Sequence, residues 1–530
     1  MASYELKDRP VFTNEADEDI FAGDNDAIQL QRLGKKPVLK RNFGVLSILG
    51  LSCTILATWE GLLDTFTIAL TNGGSAGAVY AYIFAWTGTA CCFLVLSEMA
   101  SMAPTSGGQY HWTAMLAPAR YMKFLSYITG WLAVIGWQTA FASAAYLSGT
   151  EIQGVAILAN EAYNAMSYQG TLIMWATLVV ALLSNLVGGR FLPRLEGFVL
   201  VIHILGFFAI IIPLTYMSDH KTDREVFLEF LNGGNFATQG LSWFVGLSGC
   251  VFAFAGGDAA VHMAEEVANA SVAIPRAIML SVLINGSLGF GMLIGILYCA
   301  GDIDAALNSP TGYPYIEIFY QGTGSLSGTL AMCSILLIIG IASCIGMLAA
   351  TSRQFWSFAR DRGVPGWRLW TQISSRHLPV YSTLLTTTIA TLLGLINIGS
   401  DVALNDILSM AVSGIYSSYL IAGGLLLYRR CKGDISQDNG SDETTVNVPG
   451  AKLVWGPFHV RGIWGILLNG YAVIYMIIVI FFSYWPSDMN PSVQDMNYSV
   501  VGTVGVVFLA IVYYFARARH IYQGPVLETS

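Results

Sequence analysis

Charge is scarce in this sequence. Asp, Glu, Lys and Arg supply only 11% of its 530 residues, where a soluble domain carries roughly a quarter, and 54% of the chain is hydrophobic. That balance excludes a soluble globular protein of this size. Histidine is sparse too, at seven, and none of the eight cysteines forms a CxxC pair, so neither a zinc site nor a disulfide framework is expected. The cysteines lie in apolar runs or beside them and read as small packing residues. No nucleophile–base pair, phosphate-binding loop or paired catalytic carboxylates stands out, which argues against an enzyme and against a cofactor. The net charge of −8, with its bases scattered, argues against nucleic acid as a partner. An apolar signal core is missing from the first 42 residues, so no cleaved signal peptide is expected there.

What is present is a series of long apolar runs, each near the 20 residues that carry a helix across about 30 Å of hydrocarbon. Membrane strands would instead give short alternating segments. The expected fold is therefore an all-α polytopic membrane protein in a lipid bilayer, with about 12 transmembrane helices. The spans fall near 44–70, 77–100, 124–148, 171–188, 197–217, 241–264, 277–300, 326–351, 380–398, 404–428, 462–484 and 498–515. With the N-terminus inside, 24 of the 26 Lys and Arg residues face the cytosol, leaving Lys221 and Arg224 outside. That bias predicts an even number of spans and two cytosolic termini. Residues 1–42 are expected as a disordered cytosolic tail, 429–461 as a mobile cytosolic loop and 516–530 as a cytosolic tail.

One stretch is poor material for a lipid-facing helix: Phe254-Ala255-Gly256-Gly257-Asp258, inside the sixth span. Paired glycines weaken a helix, and a carboxylate at membrane depth must face protein, water or a cation. Broken helices persist at that depth only where their freed backbone groups line a cavity. A weaker candidate break is Gly50-Leu51-Ser52-Cys53-Thr54-Ile55 in the first span, followed by the acids Glu60 and Asp64. Those acids read either as solvated at the outer surface or, for Glu60, as the outer mouth of a pathway. In the third span Trp137 and Gln138 are too deep for interfacial anchors and are candidates to line a site. Past the sixth span, Glu265 and Glu266 read as solvated, and the His262/Glu265 spacing has too few ligands for a metal site.

Three motifs share a pattern. The run from Glu98 to Tyr110, Glu-Met-Ala-Ser-Met-Ala-Pro-Thr-Ser-Gly-Gly-Gln-Tyr, resembles the signature of the amino acid–polyamine–organocation superfamily of permeases. Gly256 to Val267, Gly-Gly-Asp-Ala-Ala-Val-His-Met-Ala-Glu-Glu-Val, is similar to the sixth helix of its amino-acid/choline branch, which includes fungal GABA and choline permeases. A third match is Ala350-Thr351-Ser352-Arg353-Gln354-Phe355-Trp356-Ser357-Phe358-Ala359-Arg360-Asp361-Arg362-Gly363-Val364-Pro365, after the eighth span. The resemblance covers roughly residues 43 to 515.

The resemblance implies two five-helix repeats of opposite orientation, residues 43–217 and 241–428, with helices 11 and 12 added at 462–515. It implies breaks in helices 1 and 6, whose bare N–H and C=O groups would hold the carboxylate and ammonium of a small amine. Substrate candidates are then Ser52, Cys53, Thr54 and Ile55 with Phe254, Ala255, Gly256 and Gly257. Phe252 matches a position where relatives place an aromatic gate. Asp258 would either bias the site toward cations or anchor the break. His203 falls where some proton-coupled relatives carry a lysine beside the broken first helix, and histidine titrates near neutral pH; the plain alternative is a packing residue. Ser343 lies near the cation site of sodium-coupled members but offers little oxygen, so protons are the expected coupling ion. The implied activity is secondary transport of an amino acid, GABA or choline at a plasma membrane. Export, vacuolar transport or a nutrient receptor on the same scaffold remain open.

Overall fold

In hydrocarbon every backbone N–H and C=O must find a partner within its own segment, and these apolar runs can do so only as helices. The computed structural model describes residues 25–160, 162–189, 191–399, 403–437, 445–493 and 495–528. In chain order its main helices are α1 Asn25–Arg32, α2 Val45–Leu56, α3 Thr58–Met102, α4 Gln109–Leu116, α5 Met122–Ala159, α6 Ser167–Val187, α7 Leu192–Met217, α8 Gln239–Phe252 and α9 Ala259–His262. There follow α10 Ala270–Cys299, α11 Pro314–Thr323, α12 Leu326–Arg360, α13 Val380–Leu393, α14 Ala403–Lys432, α15 Gly462–Ser483 and α16 Ser499–Tyr513.

Among the described residues nine helices are long and apolar enough to cross a membrane. The first of these, Val45–Met102, is two crossings: 58 residues of straight helix would run about 87 Å, and the backbone leaves helical geometry at Gly74 (φ 68°, ψ −172°). The polar-rich α5 and the 14-residue α8 complete twelve segments at the positions the sequence predicts. The protein is a polytopic helical membrane protein. Large apolar side chains such as Leu205, Ile212, Phe508 and Leu509 point outward from α7 and α16, as a lipid-facing surface requires.

The order of elements repeats. A broken helix, a long helix, a short helix and three further helices make up α2 to α7, and the same order returns in α8 to α14. The two short helices lie at opposite ends of α5. Tyr110 of α4 lies at the end of α5 where Ser126 donates to its carbonyl, while Tyr315 of α11 donates to Glu151 near the other end.

The described parts of both terminal segments and of the long loop pack onto the helices. From Asn25 onward the N-terminal segment is ordered: Lys35 is buried and paired with Asp361, and Phe43 N donates to Glu266 O at 3.0 Å. At the other terminus Tyr522 is fully buried with its hydroxyl against Ser126 Oγ, and Val526 N donates to Asp361 Oδ1 at 2.9 Å. In the loop, Asn447 is buried and donates to Met102 O at 2.9 Å, and Ile435–Ser436 pairs in parallel with Leu453–Val454. Polarity reads as solvation in a sequence, but here the polar groups face partners supplied from hundreds of residues away. Residues 1–24 and 438–444 lie outside the described residues.

Candidate functional site

Both breaks exist, one of them displaced. In the sixth span α8 ends at Phe252, residues 253–258 form turns, and Gly256 takes φ 98°, which a side chain would strain. This is the predicted break. In the first span Gly50 to Ile55 is continuous helix, and the expectation of a break there is wrong. Ser52 Oγ and Thr54 Oγ1 fold back onto Ile48 O and Gly50 O, and Gly50 serves close packing, since a Cβ there would sit 2.6 Å from Glu196 O. The break falls at Ala57 (φ 38°, ψ 49°), a left-handed conformation that costs a non-glycine residue about 1–2 kcal/mol. It is held by Ala57 N donating to Cys53 O at 2.8 Å and by Asn285 Oδ1 accepting from Thr58 N at 3.0 Å.

Between the breaks lies a cavity with an empty volume of about 730 Å3, counting the part open to solvent. Of the predicted residues, Ile55, Glu60, Phe252, Ala255 and Ser343 line it. The others are not on its lining. A Cβ added at Gly256 would lie 3.5 Å from Ile55 and 3.7 Å from Trp137. Phe254 is buried against Tyr82 with ring centroids 5.2 Å apart, Gly257 is pressed on Phe93, and Gln138 Nε2 donates to Thr386 Oγ1 at 3.1 Å. Cys53 is buried in α2 with its two hydroxyl neighbours.

Asp258 is enclosed. Its Oδ2 accepts from Gln109 Nε2 and from Trp137 Nε1 at 3.2 Å and lies 3.1 Å from His262 Nε2, while Oδ1 accepts from the Tyr419 hydroxyl. The geometry is that of an anchor, which ties the sixth-span break to α4, α5 and α14. His203 does not reach the inner half of the first span. Its Nδ1 lies 2.6 Å from Glu60 Oε1, with the ring 5.8 Å from that of Trp59. The place beside Thr54 is taken by Glu196, a residue missed in the sequence, whose Oε2 accepts from Thr54 Oγ1 at 2.6 Å and whose Oε1 has no hydrogen-bond partner among the described residues. Glu151, also missed, lines the cavity with Asp64. The signal for both was there, an isolated acid in an apolar helix, but each lies near enough to a span end to read as solvated.

On the face that carries the ordered ends of the chain, the three motifs meet. Arg360 holds Glu265 through two hydrogen bonds of 2.8 and 2.7 Å, Arg353 Nε donates to Glu266 at 2.8 Å, and Lys35 pairs with Asp361, which also accepts from the Tyr110 hydroxyl at 2.8 Å. Glu98 accepts from Arg430 at 2.6 Å and from Val460 N. The expectation that Glu265 and Glu266 are solvated is thus overturned: both are buried and paired. Burial alone would raise the Glu265 carboxyl, but Arg360 beside it holds it below its ordinary range, and Lys35 and Arg360 do the same for Asp361. Among the described residues no three His, Cys, Asp or Glu side chains gather to hold a metal.

A helical membrane protein whose two interrupted helices flank a cavity, sealed at one face by ion pairs, has the build of a carrier. The family model described as amino acid permease matches residues 43–506, and the chain belongs to that family. It is 28% identical over 524 residues to amino-acid permease BAT1 of Arabidopsis thaliana, covering 95% of this chain and 96% of that one. It is 28% identical over 488 residues to a choline transporter of Saccharomyces cerevisiae, covering 91% and 82%. A Macrophomina phaseolina protein provisionally named an amino acid/polyamine transporter is 29% identical over 458 residues, covering 85% and 96%.

Proposed function

We propose that this permease moves an amino acid or a related small amine, in the range that GABA and choline represent, by proton-coupled alternating access. One observation carries the reading: the cavity lies between the Ala57 and Gly256 breaks, while the Glu265–Arg360 and Glu266–Arg353 pairs close the face beyond it. With the termini in the cytosol, as the placement of Lys and Arg favours, the closed face is cytosolic and the cavity serves uptake from outside at a plasma membrane. Rocking of the first two and the sixth and seventh spans against the rest would part the ion pairs and release substrate inward. His203, hydrogen-bonded to the cavity acid Glu60, is the group proposed to carry the coupled proton.

The test is uptake of radiolabelled GABA, choline and several amino acids into permease-deficient cells at two external pH values. Uptake is expected to rise at the lower pH, and His203→Gln to flatten that dependence at unchanged surface expression. Equal wild-type uptake at both pH values would remove the proton, and with it the role of His203.

A further inference from the structure

The ring of His262 sits between two groups that both accept hydrogen bonds. It is fully buried, on the same segment as Asp258 and four residues after it. Its Nδ1 lies 3.1 Å from Ser106 O and its Nε2 lies 3.1 Å from Asp258 Oδ2. A carbonyl oxygen only accepts, so Nδ1 carries a hydrogen. A neutral ring would then turn the bare lone pair of Nε2 against a carboxylate. Moving a proton onto Asp258 does not relieve the conflict. Gln109 Nε2 and Trp137 Nε1 already donate to Oδ2, and the Tyr419 hydroxyl donates to Oδ1. An ionised carboxylate offers about four acceptor sites, and a protonated one fewer. All the contacts around Asp258 are matched when the carboxylate is ionised and both ring nitrogens of His262 are protonated.

The pair is shielded from other charges. The ring stands edge-on to Trp137, with centroids 5.2 Å apart. Glu265 and Glu266, just past His262, hold Arg360 and Arg353 of α12, and Arg276 of α10 is exposed. Helix α2 offers only the Cys53 thiol, and the Tyr110 hydroxyl of α4 is turned to Ser357 and Asp361. Among the described residues only Asp258 puts a charge within hydrogen-bond reach of the ring.

The partners of Asp258 divide by mobility. Gln109, Trp137 and Tyr419 stand on α4, α5 and α14, outside the four spans proposed to rock, whereas His262 belongs to the sixth span with Asp258. When that span swings, three of the four donors stay behind, and a carboxylate stranded at membrane depth is expensive. We infer that His262 is a positioning residue of the transport cycle: its ring holds a resident proton, distinct from the coupled one, and gives Asp258 a counter-charge that travels with the sixth span. The protonation follows from the site itself, and the role in the cycle rests on the permease reading.

The full-length protein is purified with 15N-labelled histidine, and the ring nitrogens are read by NMR at about pH 7.5, where a free imidazole is mostly neutral. One of the seven histidines is expected to carry a proton on each ring nitrogen, to keep both in His203→Gln and to lose one in Asp258→Asn. His262→Gln should remove the signal, and if that variant does not fold the other samples decide. A wild-type protein without such a ring, or a ring that stays doubly protonated in Asp258→Asn, would overturn the inference. In cells, His262→Gln is expected to lower the maximal uptake rate about tenfold, the factor for one buried polar group left unmatched, with KM and the wild-type pH dependence retained. A pH dependence altered by His262→Gln would show that the proton leaves in each turnover and would overturn the resident role. A doubly protonated ring in a surface-resident chain that carries no amino acid, GABA or choline would remove the permease reading and the role in the cycle, and leave the protonated pair standing.

Discussion

Carboxylates at the two ends of this molecule keep different company. At the face that carries the chain ends, Glu265, Glu266, Asp361 and Glu98 are each matched to Arg360, Arg353, Lys35 or Arg430. Around the cavity, Glu60, Asp64 and Glu151 meet one histidine and one tyrosine but no permanent cation. A matched buried pair is self-sufficient and closes a structure; removing one member strands the other. An unmatched acid is complete only when a proton or a ligand arrives. The same residue type thus acts as a bolt in one region and as a receptor in the other.

The largest effect should come from unmatching the closed face. Arg360→Ala removes both guanidinium hydrogen bonds to the buried Glu265, leaves it only the 3.3 Å bond from Ser106 N, and also takes a guanidinium from 4.5 Å over Trp356. Loss of one partner of a buried pair costs about 3–5 kcal/mol. The expected outcome is a clearly lower thermal midpoint in detergent and faster thiol labelling of a cysteine placed by Ser106→Cys, behind the lock. A loss under about 1 kcal/mol would show the pair to be no stronger than a surface contact. External pH should matter little here. The folded Glu265 carboxyl lies below its ordinary 4.5, so the pairing is fully present above that value and fades only as pH falls through the lower one.

Asp258→Asn comes next and sharpens the border between the regions. An amide supplies one acceptor oxygen where the carboxylate supplies two, so its NH2 must face Tyr419 or the group of Gln109, Trp137 and His262. Leaving such a donor unmatched costs about 1–3 kcal/mol. An anchor outside the cavity predicts a lower maximal uptake rate with KM for every carried substrate nearly unchanged. A selective shift in KM for cations would move Asp258 into the binding site.

Much of this was legible in the sequence, and the failures share a cause. Periodicity and run length place the twelve segments, because the membrane leaves the backbone few alternatives. Gly256-Gly257 marks the sixth-span break because paired glycines disfavour a helix locally. The first-span break was hidden, since Ala57 is an unremarkable residue in a left-handed turn, and the adjacent Thr58 N–H is capped by Asn285, 227 residues further along the chain. The motifs from Glu98, Gly256 and Ala350 were visible, but not that Gln109, Asp258, Glu265 and Arg360 interlock. Glu151 and Glu196 were passed over because distance from water cannot be read from one dimension. Where a partner is local the residues announce it; where it is remote they do not.

The smallest effect tests how far the matched region extends. Glu528 Oε2 accepts from Lys36 N at 2.8 Å, and its Oε1 lies 3.7 Å from Arg360 Nε, with 22% of the side chain exposed. Glu528→Gln keeps a carbonyl acceptor for Lys36 N and removes only a long, partly screened charge contact. Tyr522 stays buried and Val526 N stays on Asp361, so the C-terminal segment should remain docked. A partly exposed pair of this kind is worth about 0–1 kcal/mol. Glu528→Gln should therefore shift the thermal midpoint far less than Arg360→Ala, and the shift should shrink further in high salt. A drop rivalling that of Arg360→Ala would mean that the chain end is itself part of the bolt, and that the closed face depends on a contact at its rim as much as on the pairs beneath it.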